Sequence, residues 1–88
     1  MSTNDPRHVE NVVRDLLADI APEADVEGLT LDAPLQDAVD LDSVDLLNLV
    51  AAIYEATGVD IPERDYPVIA TLGRCVDYVV LHLSPTAP

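Results

Sequence analysis

Eighty-eight residues make one small domain that buries only roughly 60 to 65% of the surface its unfolded chain exposes, leaving no room for a deep catalytic cavity. Seventeen acids stand against four arginines and no lysine, a formal net charge of -13, which repels nucleic-acid phosphates and anionic lipid surfaces but speeds encounters with basic proteins. A single cysteine excludes an intramolecular disulfide, and Cys75 with His8 and His82 is too small a set for a structural zinc site.

The apolar fraction is 49%, yet Phe and Trp are absent and Tyr54, Tyr66 and Tyr78 are the only aromatics, so the core must be aliphatic. Neither a basic-then-apolar leader nor an apolar run of membrane-spanning length is present. A cytoplasmic protein without membrane insertion is expected. The start at Met1 and the tail Ser84-Pro85-Thr86-Ala87-Pro88 suggest a free-standing gene product, with residues 6-83 as the domain and 1-5 and 84-88 as flexible ends.

In chain order, Asp5 and Pro6 suit the cap and first position of a helix whose stripe is Val9, Val12, Val13, Leu16, Leu17 and Ile20. Pro22 should end it near Ile20 or Ala21. From Pro22 to Leu41 no helical period is sustained, which predicts a long loop pinned by Leu29, Leu31, Leu35 and Val39 with room for one short turn. A second helix is predicted from Ser43 to Thr57, stopped at Gly58. It carries two apolar stripes: Leu46, Leu49, Val50 and Ile53, the expected core face, and Val44, Leu47, Ala51 and Tyr54, which is either buried as well or offered to a partner. Pro62 should open a short turn ended by Tyr66-Pro67, and Thr71 should cap a last helix that buries Leu72, Cys75, Val76, Val79 and Leu83. The expected fold is all-α, with three substantial helices and one short one.

The usual catalytic constellations are missing. There is no phosphate-binding glycine loop, and a calcium loop starting at Asp40 would place Val44, Asp45 and Ala51 where an oxygen ligand, a glycine and a bidentate glutamate belong. His8 and His82 read as solvated helix-end residues, and neither makes a convincing base for a serine nucleophile. No intrinsic catalysis is expected. Asp42-Ser43 stands apart because it joins the long loop to a helix start, where free backbone N-H groups favour an anion; on local sequence alone ordinary capping by Asp42 or Ser43 is the stronger reading.

Leu41-Asp42-Ser43-Val44-Asp45-Leu46-Leu47, followed by Gly58-Val59-Asp60-Ile61-Pro62 and the helix start at Thr71, resembles the acyl carrier protein family over about Val9 to Leu83. The resemblance implies a small four-helix bundle and a phosphopantetheine arm on Ser43, installed by a phosphopantetheinyl transferase from coenzyme A with magnesium, Asp42 helping to position that enzyme's metal. Acyl groups would ride as thioesters on the arm's thiol to acyl-loading, condensing and acyl-transfer enzymes with basic docking surfaces. It further implies docking through Val44, Asp45, Leu47, Ala51, Tyr54 and Glu55, and a lining of Leu46, Val50 and Ile61 for the acyl chain.

The pattern also departs from the family. The glycine often found before Asp-Ser is absent from Val39-Asp40-Leu41, and Asn48, Tyr54 and Ala56 occupy positions that are usually acidic. Polyketide or other specialised biosynthesis is therefore as well supported as fatty-acid synthesis. Two rival readings are an aminoacyl or peptidyl carrier and an unmodified acidic domain that binds a basic helix through the Val44 to Tyr54 stripe. Loss of a cap at Ser43→Ala should cost about 1 kcal/mol. With no heptad repeat, a monomer is expected.

Overall fold

The computed structural model describes residues 5-83. The expected flexible ends, apart from Asp5, lie outside the described residues. The fold is all-α: α1 (Pro6–Ile20), α2 (Leu35–Ala38), α3 (Ser43–Thr57), a 3-10 helix (Glu63–Ile69) and α4 (Leu72–His82). The three long helices fall where local chemistry places them. Asp5 accepts from the Arg7 N-H with Pro6 in the first turn, Gly58 ends α3 at φ 79°, and the Thr71 hydroxyl accepts from the Arg74 N-H at 3.2 Å. α1 packs against both α3 and α4, and the 3-10 helix packs against α4.

Two short elements, not one, separate the long helices. α2 is a single turn inside the long connection, closed by Ala38 N-H to Pro34 O at 2.7 Å and Val39 N-H to Leu35 O at 3.1 Å. The turn after Pro62 does not stop at Tyr66-Pro67 but runs on to Ile69. Proline's fixed φ lies within the 3-10 range, and burial of Ile69 holds the extension against the core.

The core is aliphatic as the composition required: Val9, Val13 and Leu17 from α1, Leu49, Val50 and Ile53 from α3, and Leu72, Cys75, Val76 and Val79 from α4 are buried. The long connection contributes Val26, Leu35, Val39 and Leu41, whereas Leu31 remains exposed. Backbone bonds also hold it. Leu35 N-H reaches Ala70 O at 2.8 Å, Leu72 N-H reaches Ala33 O at 3.2 Å, and Gly73 N-H reaches Leu31 O at 2.6 Å, forming a short antiparallel bridge at Pro34 and Thr71. On the other side Arg14 donates to Val26 O at 2.6 Å and Leu29 O at 2.9 Å while pairing with Glu10 at 3.0 Å. One guanidinium thereby satisfies two loop carbonyls, a use of its planar fork that lysine could not reproduce.

Tyr78 is buried, and its hydroxyl donates to Asp65 Oδ2 at 2.7 Å, tying α4 to the 3-10 helix. That bond, with burial second, raises the phenol above its ordinary range. Cys75 is fully buried, and desolvation pushes its thiol up from 9.0 to about 12. A thiol so placed should resist a disulfide reagent at pH 8 and label only as fast as the chain opens, a rate that a chase in rising urea measures. Because the folded state holds the proton more tightly, this contribution to stability is complete below pH 9 and is lost as pH rises towards 12.

Candidate functional site

At the start of α3 the cap is built from two carboxylates. The Asp45 N-H donates to Asp42 Oδ1 at 2.8 Å, and the Asp42 N-H points back to Asp45 Oδ2 at 3.5 Å, a reciprocal capping box. Ser43 is the first helical residue and is exposed. Capping therefore belongs to Asp42, and the Ser43 hydroxyl is spare. Leu46 N-H already reaches Asp42 O at 3.0 Å, so the Ser43 and Val44 amides are the first-turn donors left without a cap. An exposed hydroxyl next to two such amides, at the positive end of a 15-residue helix, suits a phosphate ester.

The second apolar stripe of α3 faces outwards. Val44 is 63%, Leu47 52% and Tyr54 55% exposed; Ala51 and Glu55 are exposed beside them. These side chains and Ser43 share one helix. Asp45 is half-buried, since its carboxylate serves the cap.

Leu46, one turn beyond Ser43, lines a groove of about 270 Å³ together with Leu35, Gln36, Tyr66, Pro67, Ile69 and Ala70. Val50 and Ile61 lie apart from it, buried in the core. The residues that shape this groove with Leu46 come from α2, the 3-10 helix and its C-cap Ala70, short elements that leave no periodic signal in the sequence.

Immediately before the site, Asp40 takes φ 53°, a left-handed conformation that a glycine would adopt without strain. The Leu41 N-H reaching back to Gln36 O at 3.1 Å is the six-to-one bond of a Schellman ending for α2. Asp40→Gly should therefore raise stability by about 0.5 kcal/mol, a melting increase of about 2 to 4 °C. A lower melting temperature would instead reveal a stabilising contact made by the Asp40 carboxylate.

Comparison with known proteins agrees with this geometry. A family model described as a phosphopantetheine attachment site matches residues 11–79. An acyl carrier protein from Streptomyces coelicolor is 35% identical over 83 residues, covering 94% of this chain and 86% of the relative. Another from Lactobacillus acidophilus is 31% identical over 72 residues, covering 82% and 89%, and one from Rubrobacter xylanophilus is 36% identical over 58 residues, covering 66% and 72%. With most of its length matched, the chain belongs to the acyl carrier protein family, whose prosthetic group is a covalently attached phosphopantetheine.

Proposed function

We propose that Ser43 is the attachment residue and that the protein carries acyl intermediates for a biosynthetic pathway of the fatty-acid or polyketide kind in the cytoplasm, as a monomer that does no chemistry of its own. The observation that carries this reading is the spare hydroxyl: Ser43 stands exposed while Asp42 and Asp45 cap the helix. When attached, the group supplies a flexible arm ending in a thiol that bears the acyl cargo. Ser43 would hold the group through its hydroxyl oxygen as a phosphodiester, and the uncapped Ser43 and Val44 amides would offset the negative charge. Asp42 keeps Oδ2 outside the cap and offers it to the metal of the phosphopantetheinyl transferase.

Partner enzymes are read by α3. Val44, Leu47, Ala51 and Tyr54 give an apolar strip, and Asp45 and Glu55 supply the charge that draws basic surfaces to it. Such charges act on association rate and specificity more than on affinity. The acyl chain rests first against Leu46 in the adjacent groove, while Val50 and Ile61 come within its reach only when the helices part.

The test is intact-protein mass after incubation with coenzyme A, magnesium and a broad-specificity phosphopantetheinyl transferase. A gain of one phosphopantetheinyl group is expected. Absence of any gain with two different transferases would favour the unmodified acidic interaction domain, and loading trials with acyl and aminoacyl groups separate an acyl carrier from a peptidyl one.

A further inference from the structure

A cleft of about 440 Å³, larger than the groove at Leu46 and sharing no residue with it, opens where the end of α1, the end of α2 and the start of α3 converge. Its floor is apolar: Val39 is buried, and Ile20 and Ala21 pack half-buried against the core. Its rim carries three carboxylates, Glu23, Asp40 and Asp45, and no basic residue. Asp40 and Asp45 flank Ser43 in the chain, three residues before it and two after.

The lining selects the chemistry of an occupant. The 15-residue α1 ends here with no basic residue in its last turn, so its negative pole adds to the three carboxylates. The chain's own cations are elsewhere. Arg14 pairs with Glu10, the only ion pair among the described residues, while Arg7, Arg64 and Arg74 belong to the start of α1, the 3-10 helix and α4. No three acids among the described residues stand close enough together to hold a metal ion, so the charge is spread around an apolar floor and not focused on a point. The phosphate of the arm, an anion, is repelled from such a lining. An arginine or lysine side chain fits it, with the methylene stem on Ile20, Ala21 and Val39 and the charged head among the carboxylates.

Position selects the partner. Enzymes that act on the arm's thiol can stand an arm's length from Ser43. The enzyme that joins the arm to the Ser43 oxygen must cover the residues around that oxygen, and this cleft lies within such a footprint.

We propose that the cleft seats a basic side chain of the phosphopantetheinyl transferase, a contact made by the end of α1 and the long connection in addition to any made by the α3 strip. The proposal rests on Ser43 as the attachment residue. Glu23 and Asp40 then set how well the carrier is recognised for loading, without touching the reacting atoms.

Steady-state loading by a broad-specificity transferase, followed by intact mass, tests this on the full chain. The Glu23→Gln, Asp40→Asn double variant keeps the cap of α3, and asparagine tolerates the left-handed backbone at position 40. Its KM as substrate should rise by about three- to tenfold with kcat unchanged. The difference should shrink at about 0.5 M salt, where exposed charges are screened. A control with the same loss of charge, Asp60→Asn with Asp77→Asn at exposed positions outside the cleft, should load nearly as the wild type does; thermal melting confirms that both variants are folded. Wild-type kinetics in the cleft variant would overturn the proposal, as would an equal loss in the control, which would assign the effect to overall charge. Failure of the wild type to load with two transferases would overturn the attachment reading and this one with it.

Discussion

Ser43→Ala should abolish phosphopantetheine loading completely while leaving the melting temperature within about 2 °C of the wild type. The two halves of this expectation come from the same geometry. Loading needs the hydroxyl oxygen as the atom that joins the phosphate, and no other side chain can supply it at that place. Folding does not need it, because the helix is capped by Asp42 and Asp45 and Ser43 is exposed. The loss of about 1 kcal/mol expected from sequence for a missing cap therefore moves to a different residue. Asp42→Ala should incur it and loosen the first turn of α3, whereas alanine at position 43 improves helix propensity by a few tenths of a kcal/mol. Mass spectrometry after transferase treatment reads the first effect and thermal melting the second. Continued loading of Ser43→Ala would place the arm on another residue, and a fall of more than about 5 °C would make the hydroxyl structural.

The contrast between positions 42 and 43 marks how far the sequence could be read. Helix ends were legible wherever the signal is carried by neighbours in the chain: Asp5 before Pro6, Thr57 before Gly58, and Thr71 three residues before the Arg74 N-H it accepts from. The doubly apolar character of α3 was legible too, because a period of 3.6 separates the two stripes without knowledge of what covers them. Which of Asp42 and Ser43 caps was not, since both residue types serve and only the reciprocal bonds of Asp45 decide it. The connection from Pro22 to Leu41 was read as a loop with anchors, but its main attachments lie beyond local pattern. Arg14 holds carbonyls 12 and 15 residues away, and the bridge at Pro34 and Thr71 joins segments that have no periodicity of their own. Likewise Asp40 gave only a weak sign of its positive φ, because aspartate enters the left-handed region more often than most residues but far less often than glycine.

Gly73 shows the same limit with a larger energetic consequence, and Gly73→Ala should lower the melting temperature by about 5 to 15 °C. In sequence it is an isolated glycine near a helix start, where alanine would be preferred by up to about 1 kcal/mol on propensity alone. In the fold a Cβ at this position would lie 2.8 Å from the Leu31 carbonyl oxygen and 3.2 Å from the Leu31 Cβ. The obstructing oxygen is backbone, and the same oxygen accepts the Gly73 N-H at 2.6 Å. Relief therefore requires the connection to move off α4 as a unit, straining the bonds from Leu72 N-H to Ala33 O and from Leu35 N-H to Ala70 O. A net loss of about 1 to 3 kcal/mol results once the gain in propensity is set against overpacking and weakened backbone bonds. Amide exchange locates the damage: protection should fall first at Leu35, Leu72 and Gly73, while the core amides of α3 at Leu49 and Ile53 keep theirs until global unfolding. If Gly73→Ala instead melts higher than the wild type, propensity outweighs the contact, and the connection is held to the bundle by Arg14 and its buried Val26 and Leu35 rather than by the bridge to α4.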